Sequence, residues 1–247
     1  MNDEIYRNSA MLYDRLNYGK AEGLACRLIP KLNEFNSAPQ QKVLDIGCGT
    51  GALINKLAEV GYWVCGIDPS HNMIAEAKNK YPNLELTVGL PAKLLRERKF
   101  DLILSTNDAM NYISPIRLIA TISQIGNSLT IGGLVYLDFT TETDFVENWQ
   151  NQTLETKVDN WKLLREWTFD PISCTGTETQ TWSIADDPAD LVFREVHTLY
   201  PINPPLLLKK LKNSGLQFLS FYEPESMEEP KLDILRYFRL GLLAKKT

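Results

Sequence analysis

The chain has few of the residues that usually build metal centres: two histidines, His71 and His197, and four cysteines, Cys26, Cys48, Cys65 and Cys174. No Cys-x-x-Cys pair or zinc-ligand spacing is present, so the cysteines read as reduced thiols and no metal is expected. A nucleophilic Cys48 in a glycine loop is outweighed by the simpler need for a small residue there. Basic charge is not in excess either. Lys plus Arg number 26 against 31 Asp plus Glu, a net charge of −5, which disfavours a phosphate backbone and leaves nucleic acid out of the expected partners. No run approaches the roughly 18 uninterrupted apolar residues of a membrane span, and the opening MNDEIYRNSA lacks a basic-then-apolar leader pattern. The expectation is a soluble cytoplasmic protein, a monomer or homodimer with no membrane partner.

What is there is ordinary globular usage: 247 residues, 44% hydrophobic and 23% charged, enough for one large domain with a real core. Leu12, Leu16, Leu24, Leu28 and Leu32 fall at helical spacing, broken by Gly19 and Gly23, which predicts two helices within 3–35. A polar loop at 36–41 follows. Short apolar runs at 42–46, 63–67, 84–88, 101–104 and 134–139 then alternate with helical patterns at 52–60, 69–80 and 115–129. Ser70 is the expected N-cap of the second of these, and Gly132-Gly133 a turn before the last strand. Five strands separated by helices predict a parallel sheet with right-handed crossovers. The end of the chain reads as a helix at 206–214, a strand at 216–222 and a closing strand at 234–244.

The stretch between Phe139 and Asn203 is too long for a connection. Trp161, Leu163, Trp167 and Phe169 share one face of an alternating run, and 175–184 and 191–200 have strand composition. A small inserted antiparallel β layer is expected there.

The segment Val43-Leu44-Asp45-Ile46-Gly47-Cys48-Gly49-Thr50-Gly51 puts a turn without Cβ bulk at the end of the first strand, where it opens a helix with free N–H groups. Gly47-x-Gly49-x-x-Ala52 also satisfies the dinucleotide spacing, so the glycines alone do not choose a ligand. Asp45 does. Its carboxylate, two residues before Gly47, would repel a pyrophosphate and attract an ammonium or sulfonium group. Asp68, ending the second strand, can accept hydrogen bonds from ribose hydroxyls; by itself, Asp68-Pro69-Ser70 would read as helix capping.

With VLDIGCGTG (43–51), GIDPSHNMIAEAK (66–78), FDLILSTNDAMNYI (100–113) and GGLVYLDF (132–139), the chain resembles the class I S-adenosylmethionine-dependent methyltransferases. The resemblance implies a Rossmann-like, mostly parallel seven-stranded sheet of order 3-2-1-4-5-7-6 flanked by helices, with S-adenosyl-L-methionine as cofactor and S-adenosyl-L-homocysteine as product. It places Asp45 and the turn residues Gly47, Cys48, Gly49 and Gly51 at the methionine portion, Asp68 at the ribose, and Pro69 and Met73 near the adenine. MLYDRLNY (11–18) resembles the family's Tyr-Asp segment, making Tyr13 the residue that closes over the cofactor. Where the family often carries an acidic residue after the third strand, this chain has Gly89, Leu90 and Pro91. Adenine contacts then fall to the backbone around Leu90 or to Asn107. The expected domains are a cofactor core at 1–140 and 203–247 and an inserted substrate lid at 141–202.

Methyl transfer from a sulfonium needs alignment, water exclusion and somewhere for a proton to go. His197 is the base candidate, on the last strand of the insert with Phe193, Glu195 and Leu199 on its face; the alternative is a histidine satisfied within a strand pair. Tyr13 and Asp108 complete the candidate catalytic set. Asn107, Asp108, Asn111 and Tyr112 follow the fourth strand, at the sheet edge where open α/β folds bind ligands, or else cap the next turn. Trp161, Trp167 and Trp182 wall an acceptor site or form the core of the insert. The insert resembles that of small-molecule methyltransferases acting on amines, so the expected acceptor is a small amine, with O-methylation second. A dinucleotide-dependent oxidoreductase and a non-catalytic nucleoside-binding protein are the competing classes.

Overall fold

The structure, a computed structural model, describes residues 5–35, 41–97, 99–184 and 187–247. Of the loop expected at 36–41, only Gln41 lies within that set. The elements run α1 (Ala10–Leu16), α2 (Lys20–Phe35), β1 (Lys42–Ile46), α3 (Ala52–Glu59), β2 (Trp63–Asp68), α4 (His71–Lys80), β3 (Glu85–Val88), α5 (Ala92–Glu97) and β4 (Phe100–Ser105). A 3-10 turn (Ala109–Tyr112) leads to α6 (Pro115–Ser128), β5 (Leu129–Thr140) and α7 (Glu142–Asn148). Four strands follow, β6 (Gln152–Val158), β7 (Trp161–Asp170), β8 (Thr175–Ile184) and β9 (Asp187–Leu199), then α8 (Pro204–Asn213), β10 (Leu216–Tyr222) and β11 (Arg239–Lys246).

Seven strands form one sheet in the order β10-β11-β5-β4-β1-β2-β3, which is 3-2-1-4-5-7-6 once the inserted strands are left out of the count. β1 to β5 pair in parallel and β11 runs antiparallel to both neighbours. Strand alternation sends Leu44, Ile103, Val135 and Leu137 to one face, packed with Ile122 and Ile125 of α6 and Leu211 of α8. Val43, Leu102, Leu104 and Leu134 face the other way onto Leu28 and Leu32 of α2 and Leu53 and Leu57 of α3. With both faces covered, the strands can be nearly all apolar, which is why they read as continuous runs. β6 to β9 make a separate four-stranded antiparallel sheet.

The helix α5 and the strand β6 have no counterpart among the expected elements, and three further differences have local reasons. The closing strand begins at Arg239, because Ile234–Arg236 forms a 3-10 turn capped by Asp233, whose Oδ1 accepts from Leu235 N at 3.0 Å. Gly132-Gly133 does not end the preceding element. β5 runs from Leu129 and absorbs the glycines as a bulge, its pairing jumping from Phe100–Leu129 to Leu102–Leu134. Residues 142–148, for which no element of their own was expected within the inserted layer, are helical. Phe145 and Trp149, one turn apart, stack at 4.2 Å and pack with Leu199.

Candidate active site

The glycine turn sits at the carboxyl end of β1, as the strand-turn-helix pattern requires. Gly47 (φ 77°) and Gly49 (φ 52°) are left-handed, and a Cβ on Gly47 would lie 2.4 Å from Ala109 Cβ, so the backbone passes where no side chain fits. Asp68 holds the turn: its Oδ2 accepts from Gly49 N at 3.0 Å and its Oδ1 from Ser70 N at 2.8 Å. The capping reading and the ribose reading are therefore compatible, since each oxygen keeps a second lone pair. Ser70 caps α4 as expected, accepting from Met73 N.

A cavity of about 330 Å³ opens over this turn. Asp45, Gly47, Cys48 and Gly49 form its floor; Asp68, Pro69, Met73 and Leu90 one wall; Tyr13 and Asn107 lie opposite. Gly51 is not part of it. Its missing Cβ would face Ala77, Leu84 and Tyr81, and it opens α3 in the left-handed region, so the cofactor contact expected of it gives way to a packing role. Cys48 is buried, and burial pushes its thiol pKa well up, which leaves it unreactive.

Asp45 has a buried carboxyl oxygen with no counterpart among the described residues. The residue is 2% exposed and its Oδ1 has no hydrogen-bond partner. Burial, with the nearby charge of Asp68, raises its pKa to about 7. An unpaired carboxyl aimed into a nucleoside-sized cavity fits a cationic amino-acid tail and opposes a diphosphate.

A second cavity, about 490 Å³, adjoins the first across a wall shared by Tyr6, Tyr13, Asn17, Lys20, Asn107 and Tyr112. Asn107 and Asp108 are both left-handed (φ 52° and 60°) in the turn after β4. Asp138 accepts from Asn107 N at 3.2 Å, and Asp108 Oδ1 accepts from Thr140 Oγ1 at 2.8 Å. Arg239 donates to both Asp138 oxygens at 2.7 and 2.6 Å, with Nε 3.4 Å from Asp108. Burial raises the Asp108 pKa to about 6, against the opposing pull of Arg239. Trp167 and Trp182 border the same cavity. Both also pack internally, Trp182 stacked on Phe193 at 5.7 Å and Trp167 against the Phe145 cluster, so the two readings of these rings hold together.

Asn111 does not reach either cavity. It is fully buried, donates to Thr140 O and Tyr200 O at 2.8 and 2.9 Å, and accepts from Thr140 N at 3.0 Å. It clamps the 3-10 turn to the end of β5 and the chain after β9, which corrects its expected role as a substrate contact. His197 is likewise fully buried and borders neither cavity. Its link is Tyr112, whose Oη lies 3.0 Å from His197 Nδ1 and 3.0 Å from Tyr6 Oη. On the far side, His197 Nε2 is 3.7 Å from Glu195 Oε2. Glu195 also accepts from Asn8 N at 2.7 Å and from Ser9 N and Oγ at 3.2 and 2.5 Å. Burial raises the Glu195 pKa, but these hydrogen bonds outweigh it and leave the carboxyl below its usual range. Burial also holds the Tyr112 phenol far above its ordinary pKa, with the charge of Glu178 adding. His197 thus reaches the cavities only through Tyr112 and the ring of Tyr6, 4.8 Å away, a correction to its expected direct contact.

The N-terminal segment covers both cavities. Asp14 accepts from Thr50 Oγ1 and Lys80 Nζ, Leu12 packs on Leu163 and Trp182, and Arg15 meets Asp159 at 2.8 Å. Tyr6, Arg165, Glu178, Gln180 and Arg239 went unnoticed in the sequence. The alternation that singled out Trp182 also places Glu178 and Gln180 on its face, so parity could have found them. Arg239 and Tyr6 carry no local signal.

Residues 43–133 match the family model described as "Methyltransferase domain". An uncharacterized methyltransferase of Staphylococcus carnosus is 33% identical over 158 residues, 60% of this chain and 75% of that one. A putative methyltransferase of Geobacillus sp. is 31% identical over 141 residues, and there the match spans 54% of this chain and only 56% of the relative. Among solved structures, an S-adenosylmethionine-dependent methyltransferase from Clostridium acetobutylicum superposes with a TM-score of 0.83 at 24% identity, covering 98% of this chain and 99% of that one. An amino pentose methyltransferase from Micromonospora echinaspora, solved with S-adenosylmethionine bound, gives 0.75 at 18% identity over 96% and 97%. The strand order and the glycine turn define a Rossmann-like α/β protein of the methyltransferase fold. The chain belongs to the class I S-adenosylmethionine-dependent methyltransferases.

Proposed function

We propose that this protein transfers a methyl group from S-adenosylmethionine to the nitrogen of a small-molecule amine. The observation that carries this reading is the pair of adjoining cavities sharing Tyr6, Tyr13, Asn107 and Tyr112, one floored by the orphaned Asp45 carboxyl and the other flanked by Asp108. A structural neighbour from Streptoalloteichus described as a sugar N-methyltransferase supports the choice of nitrogen. Under this reading 1–140 and 203–247 form the cofactor core, and 141–202 a substrate lid. Net charge −5 supports a small acceptor in place of nucleic acid, and a cytoplasmic setting belongs to the same proposal.

When bound, S-adenosylmethionine supplies an electrophilic methyl group on a cationic sulfur. The chain does the rest. Asp45 holds the ammonium of the amino-acid tail, Asp68 the ribose hydroxyls, and Leu90 and Met73 border the base. Asp108, ionised at neutral pH, attracts a cationic amine to the wall between the cavities. The high pKa of Tyr112 keeps it protonated at rest, so it accepts a proton from the acceptor as it gives its own to His197 Nδ1. Glu195 favours a proton on His197 Nε2, which leaves Nδ1 free to receive. Tyr13 closes the cofactor side against water.

A panel of small amines and their hydroxyl counterparts, incubated with isotopically labelled S-adenosylmethionine and read by mass spectrometry, tests the assignment. N-methylated products are expected. Products labelled only on oxygen would move the assignment to O-methylation, and cofactor binding without any product would favour a binding protein.

A further inference from the structure

The acceptor cavity holds both signs of charge, and they are not equally satisfied. Arg239 is engaged by Asp138 and Asp108; Asp144 accepts from Asn148 Nδ2 at 2.7 Å and Trp149 Nε1 at 3.0 Å; Glu178 Oε1 accepts from Gln180 Nε2 at 2.9 Å. Arg165, on the cavity face of β7 opposite Gln180, stands apart. Its Nε is buried without a hydrogen bond and forms only a loose ion pair, at 3.4 Å, with Glu178 Oε1, an oxygen that also accepts from Gln180. Lys20 borders the same cavity, donates to the neutral amide oxygen of Asn17 at 2.9 Å, and forms no ion pair with a described residue. Burial, then the positive fields of Arg165 and Arg239, lower the Lys20 pKa, with Asp108 and Glu225 pulling the other way, so three cationic side chains converge on one lining.

We propose that Arg165 and Lys20 form an oxyanion subsite, so that the methyl acceptor is an amine that also carries a carboxylate or phosphate group. A planar guanidinium with an unfilled N–H suits the paired oxygens of either group, and the ammonium of Lys20 adds a second donor. Trp167 and Trp182 give the cavity apolar walls, which strengthen the pairing by excluding water. Asp108 and Tyr112 line the same cavity, Tyr112 on the wall shared with the cofactor cavity, which Lys20 also borders. The amine would lie at Asp108 and Tyr112 and the anion at Arg165. The acceptor is thereby zwitterionic, which reconciles the three carboxylates and three cations of one lining. This inference rests on the methyl-transfer reading.

The test uses the full-length protein saturated with S-adenosylhomocysteine, whose own stabilising effect is measured first. If the nucleoside does not raise the melting midpoint, the methyltransferase reading fails, independently of the subsite. Sodium phosphate and sodium acetate are then compared with sodium chloride at equal ionic strength, on wild type, Arg165→Gln and Arg165→Lys. One of the two oxyanions is expected to raise the midpoint of wild type, to do so less for Arg165→Lys and not at all for Arg165→Gln, and the effective anion identifies the group. No shift in wild type with either anion, or an equal shift in Arg165→Gln, overturns the proposal. In transfer assays on amine pairs differing only in a carboxylate or phosphate, the anionic member is expected to show at least about tenfold higher kcat/KM, an advantage lost in Arg165→Gln. Equal rates for both members overturn it as well.

Discussion

Replacing Asp45 by Asn should separate two effects of one carboxyl. In the protein without ligand, burial raises the Asp45 pKa from 3.8 to about 7, and at ~1.36 kcal/mol per pKa unit its ionisation costs the fold about 4 kcal/mol. The sign follows from the direction. A carboxyl whose folded pKa exceeds its unfolded one leaves stability intact below the unfolded value, and the loss grows as pH rises through the folded value. Between pH 5 and 8 the wild type should therefore lose about 2–3 kcal/mol that Asp45→Asn keeps. Asp68 and Asp108, also raised, tilt both proteins the same way, so the difference between the two curves isolates Asp45. Urea denaturation at stepped pH reads stability, and calorimetry in buffers of different ionisation enthalpy reads protons. Wild type should release a proton on binding S-adenosylhomocysteine below about pH 7, and the variant should bind more weakly with no such release. Parallel stability curves, together with unchanged affinity, would refute the assignment of an unpaired buried carboxyl to the cofactor's ammonium.

Other expectations follow from the same geometry. Asp68→Ala removes the acceptor for Gly49 N and Ser70 N along with the ribose partner, and should weaken nucleoside binding about 10- to 100-fold by calorimetry. Tyr112→Phe and His197→Gln should each lower kcat by about 10²-fold or more while leaving S-adenosylhomocysteine affinity near wild type; unchanged kcat at saturating acceptor would remove the relay. Asn111→Ala leaves Thr140 N, Thr140 O and Tyr200 O without their buried partner, and should cost about 3 kcal/mol or more in denaturation; a loss under about 1 kcal/mol would contradict the clamp. Gly47→Ala should abolish nucleoside binding, because its Cβ collides with Ala109 and its φ of 77° disfavours a side chain.

Much of the cofactor half was legible because its physics is local. The runs at 42–46 and 63–67 announce buried parallel strands, and Gly47 and Gly49 announce a backbone that something must approach. Asp45 and Asp68 follow from where a strand ends. The acceptor half was legible only in outline. Parity picked out the tryptophans of the inserted sheet, but whether Trp167 and Trp182 meet a ligand or one another depends on α7 and α1 packing behind them. His197 and Glu195 share a strand face, yet what they touch is set by Tyr112, Tyr6 and Ser9, far away in sequence. Asn111 looked like a site residue because it follows β4. Its partners, Thr140 and Tyr200, come from later turns that no local pattern connects to it. The pairing of Arg239 with Asp138 depends on β11 lying beside β5, and so on topology.

Cofactor choice turns on the buried acid under the glycine turn selecting a cationic amino-acid tail over a diphosphate. Calorimetric titration of the purified protein with S-adenosylhomocysteine and, separately, with NADH measures that selection directly. Micromolar-range binding of the first and none of the second is the predicted result, and binding of NADH without S-adenosylhomocysteine would contradict it.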